Sequence, residues 1–559
     1  MKNQFLLFLS LIASFSAFAQ TKEAAIASTM NERYEVAADQ FRKLIASNPT
    51  NGELFYFAGE NYFAWGSIDS AEVMFRRGQE VTPNYVLNYV GLGSVGYVNN
   101  NMALSDAQFQ RAIEMMGTKS LKIDKKTQAF AYMKMADVYI HAEKKNLPKA
   151  LEYLTKSVEL DSNNPETYVQ FGDYYAEVDQ VDLSKAFGQY TKATQIDPKY
   201  TRALIRQGAG YVRVKNWDSG LNYFNQCIEI DPNFAPAYRE KAELLFKAGR
   251  TEQAVESYAK YLELNNNCRV QQRYASFVFE TKNYQKAVTE LEKALPCNPE
   301  NPFMYRLLGY SYLETNQPEK GLENINKFFE LATAKGSPKI LASDYAYKGK
   351  LLAKAGQDSL GIATILQAVE LDPTYTDGYN DIAALYIKAR NYAKASEFYK
   401  MKINATEGEP NALDHYYLGQ SLYFSKDFAG ADSAFAVAST KYPDSNFWRG
   451  RANVRIDDPE NPVGLAAPYF FQYITTFGAD EASAQANKKN LVEAYSYFGL
   501  LYLKHNQIDC SRYAWNKVIE LDPENEKAKV AMEDKEIAAS EGVCETFGTV
   551  SVPEVAPEK

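Results

Sequence analysis

The same residue types return along this chain of 559 residues at a spacing of about 34 positions. Phe41, Phe75 and Phe109 stand 34 residues apart, and Gly59 and Gly93 repeat at the same interval. A period of this length is typical of stacked supersecondary units, none of which can bury its apolar face alone. Such a chain has no single closed core in which to build a conventional active site. It presents an extended surface instead, so binding is the first function to consider.

The repeat that occupies residues 52–83 shows why these residue types recur. Its apolar residues at positions 4, 7 and 11 share one face of a first helix, and those at positions 20, 24 and 27 share one face of a second. Gly59 and Ala71, at positions 8 and 20, let the two helices approach closely, and aromatic residues at 11 and 24 fill the space around that contact. Proline at position 32 cannot continue the second helix. Each repeat is therefore predicted to be a helix-turn-helix.

This pattern resembles the tetratricopeptide repeat, whose signature has an aromatic residue, Leu-Gly, Tyr, Ala, Phe, Ala and Pro at these positions. Another copy reads Leu204, Gly208, Tyr211, Gly220, Phe224, Cys227 and Pro232. The resemblance covers residues 20–540 and implies an all-α fold, a right-handed α-solenoid of about 14 repeats with a C-terminal capping helix. The repeats are expected to begin near residues 18, 52, 86, 129, 165, 201, 235, 268, 302, 342, 376, 412, 446 and 492.

One repeat departs from the pattern more than the others. In the repeat that begins near residue 446, residues 457–462 (Asp-Asp-Pro-Glu-Asn-Pro) separate the two helices, and Pro468 falls early in the second one. Proline is tolerated in the first turn of a helix, so a shifted start of the second helix is predicted here.

Both ends of the chain are expected to lie outside the solenoid. Lys2, an apolar stretch over residues 5–18 and the small residues Ala17 and Ala19 are typical of a signal peptide, with cleavage expected after Ala19. We therefore expect a periplasmic or secreted bacterial protein. It should have no membrane span, because no other apolar run approaches the roughly 20 residues that such a helix needs. Residues 525–540 should form the capping helix, and residues 541–559 a largely disordered tail.

Four of the five cysteines stand where antiparallel helices would bring them together in pairs. Cys268 opens the first helix of its repeat and Cys297 closes the second. Cys510 opens the second helix of the last repeat, and Cys544 follows the capping helix that runs back beside it. In an exported chain both pairs are disulfide candidates, with free thiols as the alternative. Cys227, at a small position, is expected to be a packed thiol.

Residue sets for catalysis or metal binding are not found in the sequence. The three histidines lie in distant repeats, and the chain has no His-Glu-x-x-His, Cys-x-x-Cys, Gly-x-Ser-x-Gly or phosphate-loop sequence. Residues 91–96 match the dinucleotide-binding spacing, but no strand precedes them, and Gly93 is the small residue at position 8 of a repeat. We expect a protein that is not an enzyme and that uses no cofactor or metal.

The resemblance implies that first helices line a concave groove, into which positions 2, 5, 6, 9, 12 and 13 point. Four consecutive repeats place arginines there, namely Arg202, Arg206, Arg213, Arg239, Arg269, Arg273 and Arg306. Arginine forks bind carboxylates bidentately, so this stripe is a candidate site for an acidic segment or a C-terminal carboxylate of a partner. The alternative is that these arginines pair with neighbours on the same surface, such as Glu240, Glu243 and Glu280.

Aromatic side chains occupy groove positions closer to the C-terminus. Tyr416, Tyr417 and Tyr423 are candidate anchors for a partner, because exposed aromatic residues are favoured in protein interfaces. Tyrosine and phenylalanine are common throughout this chain, so ordinary packing is the alternative.

These observations favour a binding protein. The net charge of −9 disfavours nucleic acid as a general partner. We expect a non-catalytic scaffold or adaptor that binds a partner protein or peptide along the groove, within an assembly or secretion complex of the bacterial envelope. The alternative is a periplasmic sensing module for a small envelope ligand, such as a peptide or glycan fragment.

Overall fold

Residues 21–180, 182–406, 408 and 411–549 are described by the computed structural model of the chain. Regular structure in these residues consists of α-helices and of two short 3-10 turns, at Lys119–Leu121 and Leu295–Cys297. None of the described helices is both long enough and apolar enough to cross a membrane. The expected signal peptide, residues 1–19, lies outside the described residues.

The chain divides into an N-terminal lobe, Met1–Pro299, and a C-terminal lobe, Glu300–Lys559. The N-terminal lobe contains α1 (Lys22–Met30), α2 (Tyr34–Ser47), α3 (Gly52–Trp65), α4 (Ile68–Val81), α5 (Val86–Val98), α6 (Met102–Gly117), α7 (Lys125–His141), α8 (Leu147–Leu160), α9 (Pro165–Val178), α10 (Ser184–Ile196), α11 (Thr201–Arg213), α12 (Trp217–Ile230), α13 (Ala235–Lys247), α14 (Thr251–Leu264), α15 (Cys268–Glu280) and α16 (Tyr284–Ala294).

The C-terminal lobe continues the series with shorter additions at its end. It contains α17 (Pro302–Glu314), α18 (Pro318–Lys335), α19 (Ala342–Lys354), α20 (Asp358–Leu371), α21 (Asp377–Lys388), α22 (Tyr392–Ala405), α23 (Ala412–Phe424), α24 (Phe428–Ala438), α25 (Ser445–Ile456), α26 (Ala467–Phe477), α27 (Glu481–Ala486), α28 (Lys488–Lys504), α29 (Ile508–Leu521), α30 (Glu526–Glu533) and α31 (Lys535–Ala539).

Consecutive helices pack in pairs, and within each lobe each pair stacks on the next. The expected all-α fold of repeated helix pairs is confirmed. First helices also contact the first helices of neighbouring pairs, as α3 does with α5 and α11 with α13. This arrangement brings side chains of successive first helices onto one surface of a lobe. Two first helices start earlier than expected, α7 at Lys125 and α28 at Lys488.

Most of the turns inside the pairs contain one residue with a left-handed backbone conformation. Gly66 follows α3 with φ of 83°, and Lys215 follows α11 with φ of 58°. A single left-handed residue ends a helix and reverses the chain. An asparagine then caps many of the second helices: Asn216 Oδ1, for example, accepts a hydrogen bond from the Ser219 backbone N–H.

Glycine at position 8 and a large residue at position 24 meet inside the pairs, as the sequence pattern predicts. A Cβ atom on Gly208 would lie 2.5 Å from the Phe224 ring. Phe224 is completely buried, so its ring has no room to retreat. The absence of a side chain on α11 is therefore what allows α12 to pack this closely.

The departing repeat contains a loop folded around one carboxylate. Asp457 is buried, and its two oxygens accept hydrogen bonds from the backbone N–H groups of residues 458, 463, 464 and 465. After this loop α26 begins at Ala467, with Pro468 in its first turn. The predicted shift of the helix start is therefore present, and the Asp457 carboxylate organises the residues that precede it.

The C-terminal end is more ordered than the sequence suggests. The expected capping helix is split into α30 and α31 at Asp534, whose carboxylate caps α31. Residues 541–549, expected to belong to a disordered tail, pack against the last repeat. The Phe547 ring lies 4.8 Å from the Phe498 ring, and Gly548 N–H donates to Tyr502 Oη at 2.7 Å. The last repeat has an aromatic face that no further repeat covers, and this segment covers it. Residues 550–559 lie outside the described residues.

The structure joins the cysteines in the two expected pairs. The Cα atoms of Cys268 and Cys297 lie 5.4 Å apart, and those of Cys510 and Cys544 lie 4.6 Å apart, with a bond between the sulfur atoms of each pair. Cys227 is a free, buried thiol, as expected. Burial raises the pKa of Cys227 to about 12, which keeps the thiol protonated and unreactive.

Candidate functional site

First helices of the N-terminal lobe surround a cavity of about 440 Å³. Its walls come from α1, α2, α3, α7, α11 and α13. A second cavity of about 230 Å³ lies between α7, α9, α10 and α11. Arg206 lines both cavities, and we take the two together as the candidate site, which we call the lobe cavity.

Three of the predicted arginines line the lobe cavity with donors to spare. Arg202 Nη2 lies 2.9 Å from Glu166 Oε1, Arg206 Nη2 lies 3.0 Å from Asp173 Oδ2, and Arg213 Nη1 donates to the Ala176 carbonyl at 3.2 Å. A guanidinium has five N–H donors, so each of these contacts leaves most of them free. The side chains of Arg202 and Arg206 keep 39% and 37% of their surface exposed, and both residues line the cavity.

Arg239 also lines the lobe cavity, but each of its three guanidinium nitrogens contacts a carboxylate. Its Nε and Nη2 atoms donate to the two carboxylate oxygens of Glu32, at 3.2 and 2.9 Å, and its Nη1 atom lies 2.9 Å from Glu240 Oε1. Burial lowers the pKa of Arg239, but the charges of Glu240 and Glu32 outweigh it and raise that pKa. The alternative of pairing on the same surface therefore describes this residue.

The remaining arginines of the stripe have different surroundings. Arg269 is exposed. Arg273 makes two hydrogen bonds to the Glu243 carboxylate, at 3.1 and 2.8 Å, and its side chain is 44% exposed. Neither residue is among those that line the lobe cavity. The stripe therefore contains both open and paired arginines.

Arg306 requires a correction, because it does not face a groove. It is buried in the C-terminal lobe, where Nε and Nη2 donate to both oxygens of Asp344, at 2.8 and 2.9 Å, and Nη2 also donates to the Lys339 carbonyl. Asp344 is fully buried and accepts a hydrogen bond from the Leu341 backbone N–H at the start of α19. A buried carboxylate needs a counter-charge, and Arg306 provides it.

An ionic chain crosses the first helices that line the cavity. Lys134 Nζ lies 2.5 Å from Glu60 and 3.1 Å from Asp137. Asp137 Oδ1 contacts His141 Nδ1 at 2.8 Å, and His141 Nε2 lies 3.2 Å from Asp173 Oδ2. The Asp173 carboxylate also receives the Arg206 contact. The cavity wall therefore alternates negative and positive groups across α3, α7, α9 and α11.

His141 is the residue that the sequence alone does not single out. Burial lowers its pKa, but the hydrogen bonds and charges of Asp137 and Asp173 outweigh burial and raise that pKa to about 10. His141 is therefore a cation at neutral pH, which balances two carboxylates. Asp137, one helical turn before His141, gives a weak signal in the sequence. The contact with Asp173 comes from a different repeat and has no local signal.

The predicted aromatic anchors of the C-terminal lobe divide into packed and exposed residues. Tyr416 Oη donates to Asp444 at 3.2 Å and accepts from Trp448 Nε1 at 3.1 Å. The Tyr423 ring lies edge-on to the Trp448 ring at 5.4 Å. Ordinary packing therefore describes these two, whereas Tyr417 is 39% exposed and remains a candidate anchor.

In the described part of the chain, no three histidine, cysteine, aspartate or glutamate side chains are grouped so that they could hold a metal ion. The cavity lining instead consists of ion-paired groups and partly buried apolar side chains. These are the features of a binding surface.

Two segments of the chain, residues 223–256 and 415–445, each match a family model described as the tetratricopeptide repeat. Among curated proteins, the chain is 23% identical over 238 residues to Protein CTR9 homolog of Arabidopsis thaliana, covering 41% of this chain and 21% of that protein. It is 22% identical over 215 residues to human mitochondrial import receptor subunit TOM70, and the match covers 37% of this chain and 34% of that protein. It is 28% identical over 151 residues to type IV pilus assembly protein PilF of Pseudomonas aeruginosa, and the match covers 26% of this chain and 60% of that protein. The chain spans less than two thirds of each relative.

Two solved structures are also similar to parts of this chain. The C-terminal part of a TPR repeat-containing protein from Cytophaga hutchinsonii is 29% identical, with a TM-score of 0.43, and the match covers 47% of this chain and 99% of that chain. Yeast Tom70 is 14% identical, with a TM-score of 0.27, and the match covers 73% of this chain and 94% of that chain.

Proposed function

We propose that this chain, which contains tetratricopeptide repeats, is a non-catalytic scaffold of the bacterial envelope that binds an acidic segment of a partner protein in the lobe cavity. The observation that carries the proposal is the set of arginine donors left open in that cavity. All three arginines lie on α11. Arg202 and Arg206 lie beside acids, and Arg213 lies beside a backbone carbonyl, and these contacts use only part of each guanidinium.

The contacts of the acidic and basic side chains on the cavity wall favour an acidic partner over a basic one. Glu60, Asp137 and Asp173 each already contact a cationic side chain. The arginines, in contrast, have N–H groups that no described residue fills. A carboxylate arriving from a partner finds charge-assisted donors, and a bidentate fork adds directional specificity.

Apolar groups in the same cavity provide the rest of the contact surface. Met30 is 41% exposed and lies in the wall with the partly buried Phe57 and Phe63. Interfaces draw most of their affinity from a few such anchors, and the charged groups select the partner. An acidic segment with an apolar side chain beside its carboxylate fits this lining.

The envelope location is part of the proposal. The pattern of residues 1–19 supports it, and so does the bonding of four cysteines in two pairs, because disulfides persist in oxidising compartments. An association with an assembly or secretion complex follows from this location and from the binding surface.

Photo-crosslinking in living cells tests the proposal. A photoreactive residue replaces Met30, inside the cavity, or Val73, which is 50% exposed on the second helix α4. Mass spectrometry of the products should identify a protein that is crosslinked from position 30 and not from position 73, through a peptide rich in aspartate or glutamate. Equal products from both positions, or products only from position 73, would contradict the proposal.

Arginine variants then test the chemistry of the contact. We expect Arg206→Gln to reduce the yield of the crosslink from position 30 about tenfold, because it removes charged donors that line both cavities. Arg42→Gln is the matched control: Arg42 is 72% exposed and, among the described residues, pairs with Asp39 on its own helix. An unchanged yield with Arg206→Gln would exclude the arginines as the recognition element.

The size of the cavity favours one second candidate, a sensing module for a small envelope ligand. A volume of about 440 Å³ falls in the range of small-molecule sites. A thermal-shift screen of short acidic peptides and glycan fragments separates the two functions. Stabilisation by a small compound without any protein crosslink would favour sensing.

A further inference from the structure

A single glutamate between the first two helices is bound by residues far along the chain. Glu32 follows α1 with φ of 60°. Its carboxylate accepts the two hydrogen bonds from Arg239 and a third from Tyr261 Oη at 2.7 Å. Three donors on one carboxylate, from α13 and α14, make this a specific contact and not an incidental surface pair.

The backbone beside Glu32 is bound as well. The Glu32 carbonyl accepts a hydrogen bond from Asn265 Nδ2 at 2.9 Å, and Asn31 Oδ1 accepts from the backbone N–H of Ala235 at 3.2 Å. Ala235 is the first residue of α13, so Asn31 satisfies a donor at the start of that helix. These contacts join positions that are 204 to 233 residues apart. We call residues 31 and 32 together with their partners the clasp.

The clasp lies at the lobe cavity. Glu32 and Arg239 are themselves lining residues, and the clasp joins the turn between α1 and α2 to α13 and α14. While the clasp is closed, these two sets of helices are held together across the cavity. Loss of the clasp would remove these contacts, which tie the turn between α1 and α2 to α13 and α14, and would free that part of the wall to move.

The chemistry of the clasp makes it reversible. The side chains of Glu32 and Arg239 are 19% and 35% exposed, so the ion pair is accessible to water and to salt. Glu32 is also an acidic group bound to an arginine of the stripe, so a carboxylate from outside competes for the same donors.

We propose that the clasp is a gate that controls which partners reach the lobe cavity. The closed gate admits an extended chain or a small molecule and excludes folded, bulky partners, and opening the gate removes this restriction. The inference rests on the proposed role of the cavity as a binding site, and it identifies the kind of partner: an acidic segment in extended form. Access can be measured without any ligand, so the gate and the proposed function can fail separately.

Thiol labelling measures that access. Ile205→Cys places a thiol on α11 inside the cavity, and Val73→Cys places one on the exposed face of α4. Each protein is treated with N-ethylmaleimide and with a polyethylene-glycol maleimide of several kilodaltons, and the unsubstituted chain gives the background from its own cysteines. With a closed clasp, we expect the bulky reagent to label position 205 at least about tenfold more slowly than the small one, since it reacts only through the open fraction. The two reagents should label position 73 at similar rates.

Two variants and one solution condition open the clasp. Glu32→Ala removes the acceptor, Arg239→Gln removes the charged donor, and high salt weakens the ion pair in the unaltered clasp. Each should bring the labelling rates of the two reagents at position 205 together and leave position 73 unchanged. Circular dichroism shows whether each variant is folded, and the salt experiment requires no variant of the clasp.

Two results would contradict the proposal that the clasp acts as a gate. One is rapid labelling of position 205 by the bulky reagent while the clasp is intact, which would mean that the cavity is open in any case. The other is an unchanged ratio of rates in both folded variants and at high salt. Crosslinking of a partner through position 30 would stand in either case.

Discussion

At the scale of the residue, two kinds of position matter in this chain. Some residues act by being small, such as Gly208 beneath the Phe224 ring. Others act by carrying a charge between two helices, such as His141 between Asp137 and Asp173. The first kind follows a repeat pattern and controls how closely helices pack. The second kind follows no repeat, and it differs from one pair of helices to the next.

Gly208→Ala should destabilise the N-terminal lobe by about 1–3 kcal/mol, because the added Cβ overlaps a buried ring that cannot move. Gly188→Ala is the matched control, since Gly188 lies in the neighbouring helix α10 with nothing within 4 Å of the added atom. There the better helix propensity of alanine should be neutral or stabilising by up to about 1 kcal/mol. Urea unfolding followed by circular dichroism measures both, and equal effects would contradict the packing argument.

His141→Gln should cost stability in a pH-dependent way. The pKa of His141 is raised from its ordinary 6.5 to about 10 in the folded chain, so protonation stabilises the fold. This contribution is fully present below pH 6.5 and is lost as the pH rises through about 10. Because the side chain is 40% exposed, solvent screening reduces the expected loss to about 1–2 kcal/mol. The difference in unfolding free energy between the two proteins should shrink from pH 6 to pH 10, and a constant difference would contradict the assignment.

At the scale of the element, crosslinks and caps hold the helix pairs that have fewest neighbours. The bond from Cys268 to Cys297 ties the start of α15 to the turn after α16, at the end of the N-terminal lobe. The bond from Cys510 to Cys544 ties the segment after α31 to α29. Phe547 then fills the aromatic face of the last repeat. Both devices compensate for the lack of a neighbouring pair within the lobe.

Removing the first crosslink should weaken the N-terminal lobe. The double variant Cys268→Ala with Cys297→Ala frees a loop of 29 residues, which should cost about 3–4 kcal/mol in the chain-entropy description. A reductant should lower the thermal midpoint of the N-terminal lobe in the unaltered protein and leave that of the same lobe in the double variant unchanged, because the other crosslink, from Cys510 to Cys544, lies in the C-terminal lobe. Peptide mass spectrometry without reduction provides the direct check, and five free thiols would exclude both crosslinks.

Phe547→Ala should destabilise the last repeat by about 1–2 kcal/mol, because it removes a half-buried ring from a cluster of aromatic residues. Val543→Ala is the control in the same segment, since Val543 is 81% exposed. Hydrogen exchange should increase in α28 and α29 for the first variant only. Equal exchange in both variants would show that the segment does not cap the repeat.

At the scale of the whole molecule, the chain is two lobes built from one kind of unit. Each lobe has extensive buried apolar clusters of its own, and the boundary falls in the connection between α16 and α17. The N-terminal lobe has in addition the clasp, which connects its first helices to helices near its end. In a repeat array, each repeat is otherwise stabilised only by its contacts with the adjacent repeats.

Residues 20–299 and 300–559, produced separately, should therefore each fold into a helical protein with a cooperative thermal transition. Glu32→Ala should broaden the transition of the first fragment, because it removes a contact between distant repeats, and should not affect the second. Calorimetry and circular dichroism measure both effects. A fragment without a cooperative transition would show that the lobes depend on each other for folding.

The sequence by itself determined the helix pairs, their number, the close contacts at positions 8 and 24 and the residues that come near enough to form the two cysteine pairs. These features depend on interactions within a repeat or between adjacent repeats, and local pattern is sufficient for them. The tertiary structure alone decided which arginines are open, as at Arg206, and which are occupied, as at Arg239 and Arg306. It also decided that Glu32 meets Arg239. The Glu32 contact depends on the small rotations between many successive repeats, which add up over some 200 residues and leave no mark in any one of them. The arginine contacts depend on which side chains of neighbouring helices face each other, and the repeat pattern does not specify those residues.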